Sequence, residues 1–446
     1  MQPNTLLDAL LDEAGFSHAG LAARVDRAGL ARGLDLRYDH TAVARWLRGQ
    51  RPRGRVPDLI CEVLAERLGR PVALGDIGLG VQGGPADGPG SPLCGFVDRA
   101  TALWRSDEQQ RRQVIDAPAV TGTPAVMPVW EWENPPEDTD VSRAGPTRVS
   151  PADITLLRTA RAHYELMYRR AGGIATRARI VGFLTAQTAP LLRGAYGDAL
   201  GRRLHRAAGG LVAVAGICAY DSDAHGLAQR YFHQALRLAK ASGDRGLGAY
   251  AVALLVNQSL FMGEYRQAVA FAEAALRSAG PALTPALASD LYAMQAKAYA
   301  RLGDGRVARH RIRRAEREAE RIRPGAEPDE TGYVQPGLVH VQVAEALLSL
   351  GELTAAHEHA AAAVGSPAHD RGRVHRLGML CQIELSRGEP ERAARTALAM
   401  ADQARGMESQ RLRDRLRAVR ARLVASGAGP ARQAAELIDG ALRVPL

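Results

Sequence analysis

The chain has 446 residues, a formal net charge of +10, a composition rich in alanine, leucine and arginine, and few aromatic residues. Ala, Leu and Arg are strong helix formers, so we expect a helical protein of two or three domains and not a β-rich one. No apolar run is long enough to span a bilayer, and the start MQPNTLLDALLDEAGF lacks the basic and apolar regions of a signal peptide. The cysteines form no disulfide framework or metal motif: Cys61, Cys94, Cys218 and Cys381 are isolated. We therefore expect a cytoplasmic protein with no membrane partner.

Residues 1–80 contain four short helical segments, each with a start signal and a glycine at its end. The segments begin near Asn4, Ser17, Asp39 and Pro57 and end near Gly15, Gly33, Gly49 and Gly69. Four capped helices of this length predict a small bundle. The second and third helices, SHAGLAARV and DHTAVARWLRGQRP, resemble the helix-turn-helix class typified by phage repressors, although about fifteen residues, DRAGLARGLDLRYDH, replace its tight turn.

The third helix leads into a loop that is dense in arginine. Residues 37–55 contain six arginines and one aspartate, which is an arrangement suited to a polyanion. With Trp46 and Leu47 facing the core, we predict that the exposed start of this helix meets base edges and that the loop meets phosphates of double-stranded DNA. The predicted DNA-binding residues are Ser17, His40, Thr41, Ala44, Arg45, Arg48, Arg51, Arg53 and Arg55. The alternative is a small bundle with a basic face.

Residues 81–151 are predicted to connect this bundle to the rest of the chain. The stretch GLGVQGGPADGPGSP is a Gly/Pro linker, and its G-x-G-x-x-G pattern is followed by more Gly and Pro, not by a helix that could bind a dinucleotide. A helix is expected near residues 95–115. The proline-rich stretch 116–151 contains Trp130 and Trp132 and is predicted to be an extended strap that both tryptophans pin onto a helical surface.

Residues 152–446 show a helical repeat. Stretches beginning at Asp223, Gly263, Gly303, Gly351 and Gly388 are spaced by 40, 40, 48 and 37 residues, and each has alanine five residues after its start. Alanine recurs twelve residues after four of these starts, and Met400 takes that position in the fifth. A residue of small or medium size lies seven positions before each start. Small residues at these offsets let two antiparallel helices approach closely, so each unit is predicted to be a helix hairpin covered by its neighbour. The pattern resembles the tetratricopeptide repeat. The predicted fold is therefore all-α, with an N-terminal helix-turn-helix bundle followed by a tetratricopeptide-like α-solenoid.

Over its full length the sequence resembles actinobacterial transcription regulators of the type known as negative regulators of differentiation and antibiotic production. The resemblance is carried by RYDHTAVARWLRGQRPRGRVPDLI, RRAGGIATRARIVGFLTAQTAPLLRG and AGGLVAVAGICAYDSDAHGLAQRYFHQALRLAKASGD. The domain order is also similar to that of the peptide-responsive quorum-sensing regulators of Firmicutes. These resemblances imply a DNA-binding head, a sensing helical-repeat domain and no cofactor.

Polar residues recur six positions before the repeat starts, where an inner helix would face the solenoid groove. We predict a ligand site at Asn257, Lys297, Arg301, Glu345 and Gln382. Its ligand is expected to be a peptide, a protein segment or a small signalling molecule, and Lys297 and Arg301, one helical turn apart, can hold a carboxylate or phosphate. The alternative is that these groups hydrogen-bond neighbouring helices.

No motif in the sequence indicates an enzyme. There is no G-x-x-x-x-G-K-[ST] or G-x-S-x-G, and His357 and His359 lie on nearly opposite faces of a helix, so no catalytic or metal site is predicted. We expect a DNA-binding transcription regulator, a repressor of development or secondary metabolism by resemblance. We expect it to form a homodimer through helices between about residues 376 and 442, with the alternative that the last helix is a plain solenoid cap. The alternative is a tetratricopeptide interaction scaffold without sequence-specific DNA binding.

Overall fold

The computed structural model describes residues 4–30, 34, 36–50, 52, 56–70, 72, 74–79, 93–134, 136–323 and 325–443. The chain divides into two compact units, Met1–Gly84 and Pro85–Leu446. Regular secondary structure in the described residues is helical, and only two isolated β-bridges occur, Arg143 with Tyr196 and Arg148 with Ala195. The predicted all-α class is confirmed. No helix in these ranges combines the length and the hydropathy needed to cross a membrane.

In its described residues the first unit is a bundle of four helices, which begin at or next to the predicted caps. The helices are α1 (Thr5–Ala14), α2 (His18–Leu30), α3 (His40–Leu47) and α4 (Val56–Leu68). Asn4 accepts a hydrogen bond from the backbone N–H of Leu7, and Gly15 ends α1 with a φ of 65°. The core contains Leu7, Leu21, Val43, Trp46, Ile60 and Leu64, all buried.

Part of the fifteen-residue stretch that replaces the tight turn is helical, because α2 continues to Leu30, close to the predicted end near Gly33. The carboxylate of Asp26 accepts a hydrogen bond of 3.0 Å from the backbone N–H of Tyr38. The Tyr38 ring packs edge-on against Trp46, with 5.1 Å between ring centres. Both contacts fix the point at which the chain enters α3.

The second unit begins with α5 (Leu93–Glu108), α6 (Arg112–Ile115) and α7 (Thr123–Glu133). The prediction of an extended strap pinned by both tryptophans is wrong in two respects. Residues 123–133 are helical despite two prolines. Pro124 lies in the first turn, where a backbone N–H would have no helical partner, and Pro128 removes a single backbone hydrogen bond inside the helix. Only Trp132 is buried, at 1% exposure, whereas Trp130 is 47% exposed.

The acidic stretch that begins at the end of α7 is held by arginines of neighbouring helices. Asp138 forms a bidentate ion pair with Arg237, with distances of 2.7 and 2.8 Å. Glu133 contacts Arg277 at 2.6 Å, and Glu137 pairs with Arg245. The clustering of acids in EWENPPEDTD therefore fits a role in docking this segment onto the solenoid.

The solenoid is preceded by α8 (Pro151–Ala171), α9 (Gly173–Phe183), a π-helical turn (Leu184–Thr188) and α10 (Ala189–Leu192). Six helix hairpins follow in the part of the chain that the structure describes. The first, or inner, helices are α11 (Asp198–Asp221), α13 (Arg245–Phe261), α15 (Pro285–Arg301), α17 (Pro336–Ser349), α19 (Asp370–Ser386) and α21 (Gln410–Ala425). The second, or outer, helices are α12 (His225–Ser242), α14 (Tyr265–Ser278), α16 (Gly305–Ala319), α18 (Leu353–Gly365), α20 (Pro390–Gln403) and α22 (Gly429–Arg443).

The predicted repeat positions have the expected structural roles. All five repeat starts lie in the turn between an inner and an outer helix and have a positive φ, from 66° at Asp223 to 83° at Gly303. Glycine suits this left-handed conformation, and Asp223 is the exception. The alanines five residues later are at most 1% exposed: Ala228, Ala268, Ala308, Ala356 and Ala393. The consecutive hairpins therefore pack as an α-solenoid.

The solenoid closes on itself, a feature that the repeat pattern did not predict. Inner helices neighbour one another from α11 to α21, and α8 packs against both α11 and α19. Glu408, which precedes α21, donates its N–H to the carbonyl of Ala171 at 2.7 Å and accepts one from Ile174 at 3.2 Å. The buried carboxylate of Asp221 accepts hydrogen bonds of 2.8 Å from the N–H of Gly173 and the hydroxyl of Ser409. The inner helices thus surround a common cleft.

Candidate functional site

The exposed face of α3 carries the predicted DNA-binding side chains that the structure describes. His40, Thr41, Arg45 and Arg48 are exposed and Ala44 is half-buried, while Trp46 and Val43 on the opposite face are in the core. Positions 40, 41, 44, 45 and 48 form one stripe along a helix of this period. The stripe has the size and polarity expected of a helix face that enters a major groove.

The start of α3 is fixed by its cap. Asp39 accepts hydrogen bonds from the hydroxyl of Thr41 at 2.6 Å and the N–H of Ala42 at 2.9 Å. These two donors stabilise the charged carboxylate and hold the pKa of Asp39 below its ordinary value. The hydroxyl proton of Thr41 is therefore committed to Asp39, so toward a base edge Thr41 can act only as an acceptor.

The remaining DNA-binding candidates differ in what the structure says of them. Ser17 is the cap of α2, since its hydroxyl oxygen accepts the N–H of Gly20 at 3.1 Å. Its exposed position at that helix start also leaves it free to meet a phosphate. Arg51, Arg53 and Arg55 lie outside the described residues.

The cleft of the solenoid contains most of the predicted ligand-site residues. Asn257, Lys297, Glu345 and Gln382 are half-buried on α13, α15, α17 and α19, and Arg301 is exposed at the end of α15. Lys297 and Glu345 form an ion pair of 2.9 Å across neighbouring inner helices. Within the described residues, Gln382 makes no hydrogen bond or ion pair with the other four.

The charge of Glu345 is set by its neighbours. Burial disfavours the ionised carboxylate, but the hydrogen bond and charge of Lys297, with the charges of Arg415 and Arg301, hold the pKa of Glu345 below its ordinary value. Glu345 is therefore ionised near neutral pH and satisfies Lys297. Lys297 and Arg301 were predicted to bind an anion, but Lys297 already pairs with a carboxylate of the protein itself.

The sequence interpretation missed the most highly charged part of the cleft. Arg371 and His375 of α19 and Arg411 and Arg415 of α21 are half-buried beside Glu345 and Tyr220. The available signal was the four-residue spacing in QRLRDRLRAVRARLVA, but arginines at that spacing are usual on a solvated helix face. Across the described residues no three His, Cys, Asp or Glu side chains are arranged to hold a metal ion.

Comparison with known families gives a match that lies within the first unit. A family model described as the SP15 N-terminal domain matches residues 7–80, which fall inside the first compact unit. No curated protein matches the chain. The first unit is therefore similar to an SP15 N-terminal domain, and this match does not extend to the solenoid.

Proposed function

We propose that this chain is a DNA-binding transcription regulator. The observation that carries the proposal is the exposed stripe on α3, where His40, Thr41, Arg45 and Arg48 stand on a helix anchored by Trp46. The arginine-rich loop that follows α3 in the sequence adds cations suited to phosphates. The resemblance to actinobacterial regulators favours a cytoplasmic repressor of development or secondary metabolism.

Replacing single side chains of the exposed stripe along α3 is expected to separate affinity from specificity. Arg48→Ala removes a phosphate contact, so binding to every duplex weakens and the slope of log K against log salt falls by about 0.9. Arg45→Ala and His40→Ala instead change which sequence is preferred, because these residues face base edges. Fluorescence anisotropy of labelled duplexes at several salt concentrations measures both effects.

Arg70→Ala is the matched control for this experiment. Arg70 is exposed, pairs with Glu13 at 2.7 Å and lies after α4, so its removal changes the net charge equally without touching α3. We expect its salt slope to equal that of the unaltered protein. If Arg48→Ala and Arg70→Ala lower the affinity for DNA equally, the effect arises from net charge alone, which would count against docking through α3.

We further propose that the solenoid forms a homodimer through its last hairpins. A groove between α20 and α22 is bordered by Leu398 and Leu437, which are 37% and 61% exposed. A second copy is the occupant that suits this groove, because a helix-turn-helix head gains specificity when two copies bind paired half-sites. An isologous contact would place the same leucines on both partners.

Light scattering tests the dimer. The expected mass is twice the chain mass of 47.7 kDa, and the double variant Leu398→Glu/Leu437→Glu is expected to give the monomer mass. Leu302→Glu is the control, since Leu302 is 41% exposed on another hairpin. A monomer at micromolar concentration, or a dimer that persists in the double variant, would exclude this interface.

A further inference from the structure

Among the described residues, the cations Lys297, Arg371, Arg411 and Arg415 meet the carboxylates of Asp221 and Glu345 in the cleft of the solenoid. Arg371 pairs with the buried Asp221, and Lys297 pairs with Glu345. Within the described residues no carboxylate lies at ion-pair distance from Arg411 or Arg415 (both half-buried). Because four cations face two carboxylates, the cleft holds an excess of about two positive charges.

Arg411 lies in the corner formed by two nearly perpendicular aromatic rings, Tyr220 and Phe261. Its guanidinium carbon lies 3.9 Å from the centre of the Tyr220 ring and 4.5 Å from that of Phe261. Its Nε is buried without a hydrogen-bond partner in the described structure. Stacking on aromatic faces fixes the plane of a guanidinium while leaving its N–H edge available, which is a preorganised arrangement for an anion.

Arg415 lies one helical turn from Arg411 on the same side of α21. Within the described part of the chain its side chain makes one hydrogen bond, a long one of 3.5 Å to the carbonyl of His375. Burial disfavours its charge, Glu345 favours it, and the neighbouring Arg411 and Arg371 oppose it, so that the pKa of Arg415 is lowered. Two like charges at this spacing on a half-buried helix face destabilise the protein unless an anion joins them.

Two further polar groups border this pair. His375 lies among the same cations, and burial together with Arg415, Lys297, Arg411 and Arg371 lowers its pKa well below the ordinary value. It is therefore neutral near pH 7 and can donate or accept a hydrogen bond. The half-buried Asn257 is adjacent, because its carbonyl accepts the Tyr220 hydroxyl at 3.4 Å.

We propose that the cleft is a binding site for a small molecule carrying a carboxylate or phosphate group, held between Arg411 and Arg415. His375 and Asn257 supply neutral hydrogen bonds at its edge, and the Lys297–Glu345 pair forms its far wall. The role of this site in regulation rests on the proposed function, because the bound anion would be the signal that the transcription regulator senses. Binding itself requires no DNA.

The test uses the full chain without DNA. Sodium phosphate and sodium citrate are titrated in turn, and binding is followed by thermal unfolding and by calorimetry. Sodium chloride at equal ionic strength is the reference. We expect saturable stabilisation by at least one of the two anions, and the stronger one identifies phosphate or carboxylate as the preferred group. Arg415→Gln is expected to weaken this binding about tenfold or more, since a charge-assisted contact is lost. Arg405→Gln is the control, because Arg405 is exposed and pairs with the exposed Asp402.

The unliganded Arg415→Gln protein distinguishes a ligand site from a structural role. Removal of one of two unpaired like charges is expected to leave its melting temperature unchanged or higher, with stabilisation by the anion lost. The proposal would be overturned if Arg415→Gln lowers the melting temperature and if phosphate and citrate stabilise the unaltered protein no more than chloride does. Because no DNA is present, this outcome is independent of whether the first unit binds an operator.

Discussion

Trp132→Ala is expected to destabilise the second unit by about 3–5 kcal/mol, whereas Trp130→Ala, two residues away, is expected to change its stability by at most about 0.5 kcal/mol. Trp132 is 1% exposed and contacts Gly248 so closely that a Cβ at residue 248 would lie 2.1 Å from its Nε1. Its carbonyl also accepts a hydrogen bond of 2.7 Å from Arg245. Urea denaturation followed by circular dichroism measures both variants.

The two tryptophans form a matched pair because they share a helix, a side chain and a substitution. They differ in exposure, 1% against 47%. Equal effects of the two substitutions, whether large or small, would contradict the docking of α7 onto α12, α13 and α14. A larger loss in Trp130→Ala would reverse the assigned orientation of the helix.

Asp221→Ala is expected to destabilise the second unit by about 3–5 kcal/mol, since it leaves Arg371 half-buried without its counter-charge. Asp221 is fully buried and also accepts from Gly173 and Ser409, so its loss opens the junction between the first and last hairpins. The stacking of Arg371 on the Tyr168 ring, at 4.8 Å, cannot replace a carboxylate. Hydrogen exchange is expected to accelerate first in α19 and α21.

Asp402→Ala provides the control for Asp221→Ala. It removes the same charge from an ion pair in which Asp402 and Arg405 are 75% and 77% exposed, so its effect should stay within about 0.5 kcal/mol. If both aspartates contribute equally, or if exchange in α19 and α21 does not change in Asp221→Ala, the solenoid does not depend on this contact for closure.

Local sequence signals predicted the helices and the repeat because their causes are local. Asn4, Ser17 and Asp39 cap their helices through backbone groups three residues away, and the repeat glycines mark turns that need a positive φ. The sixth hairpin, α21 and α22, also has a turn glycine, Gly427 with a φ of 73°, but it escaped this pattern because its buried positions lie one residue nearer the N-terminus than the repeat offsets place them. Its equivalents of the buried small positions are Val419 and Ala431, both 0% exposed.

The closure and the charged cleft could not be predicted in this way. The contacts of Asp221 with Arg371 and Ser409 join residues 150 and 188 positions apart, and no local pattern encodes such a pair. Arg411 has the sequence context of a solvated arginine, and only the return of α21 to α11 and α13 places it against Tyr220 and Phe261. Polar positions such as Asn257 and Lys297 marked the cleft, but they did not reveal which cations lack a partner.

Selection of duplexes from a random-sequence library by the full-length protein, at a salt concentration near 0.15 M, tests the central claim of DNA recognition most directly. The expected result is enrichment of one motif with two-fold symmetry and half-sites about one helical turn apart, lost in Arg45→Ala but kept in Arg70→Ala. Recovery of no motif, with binding that is absent even at low salt, would contradict the regulator and leave the interaction scaffold as the better account of this chain.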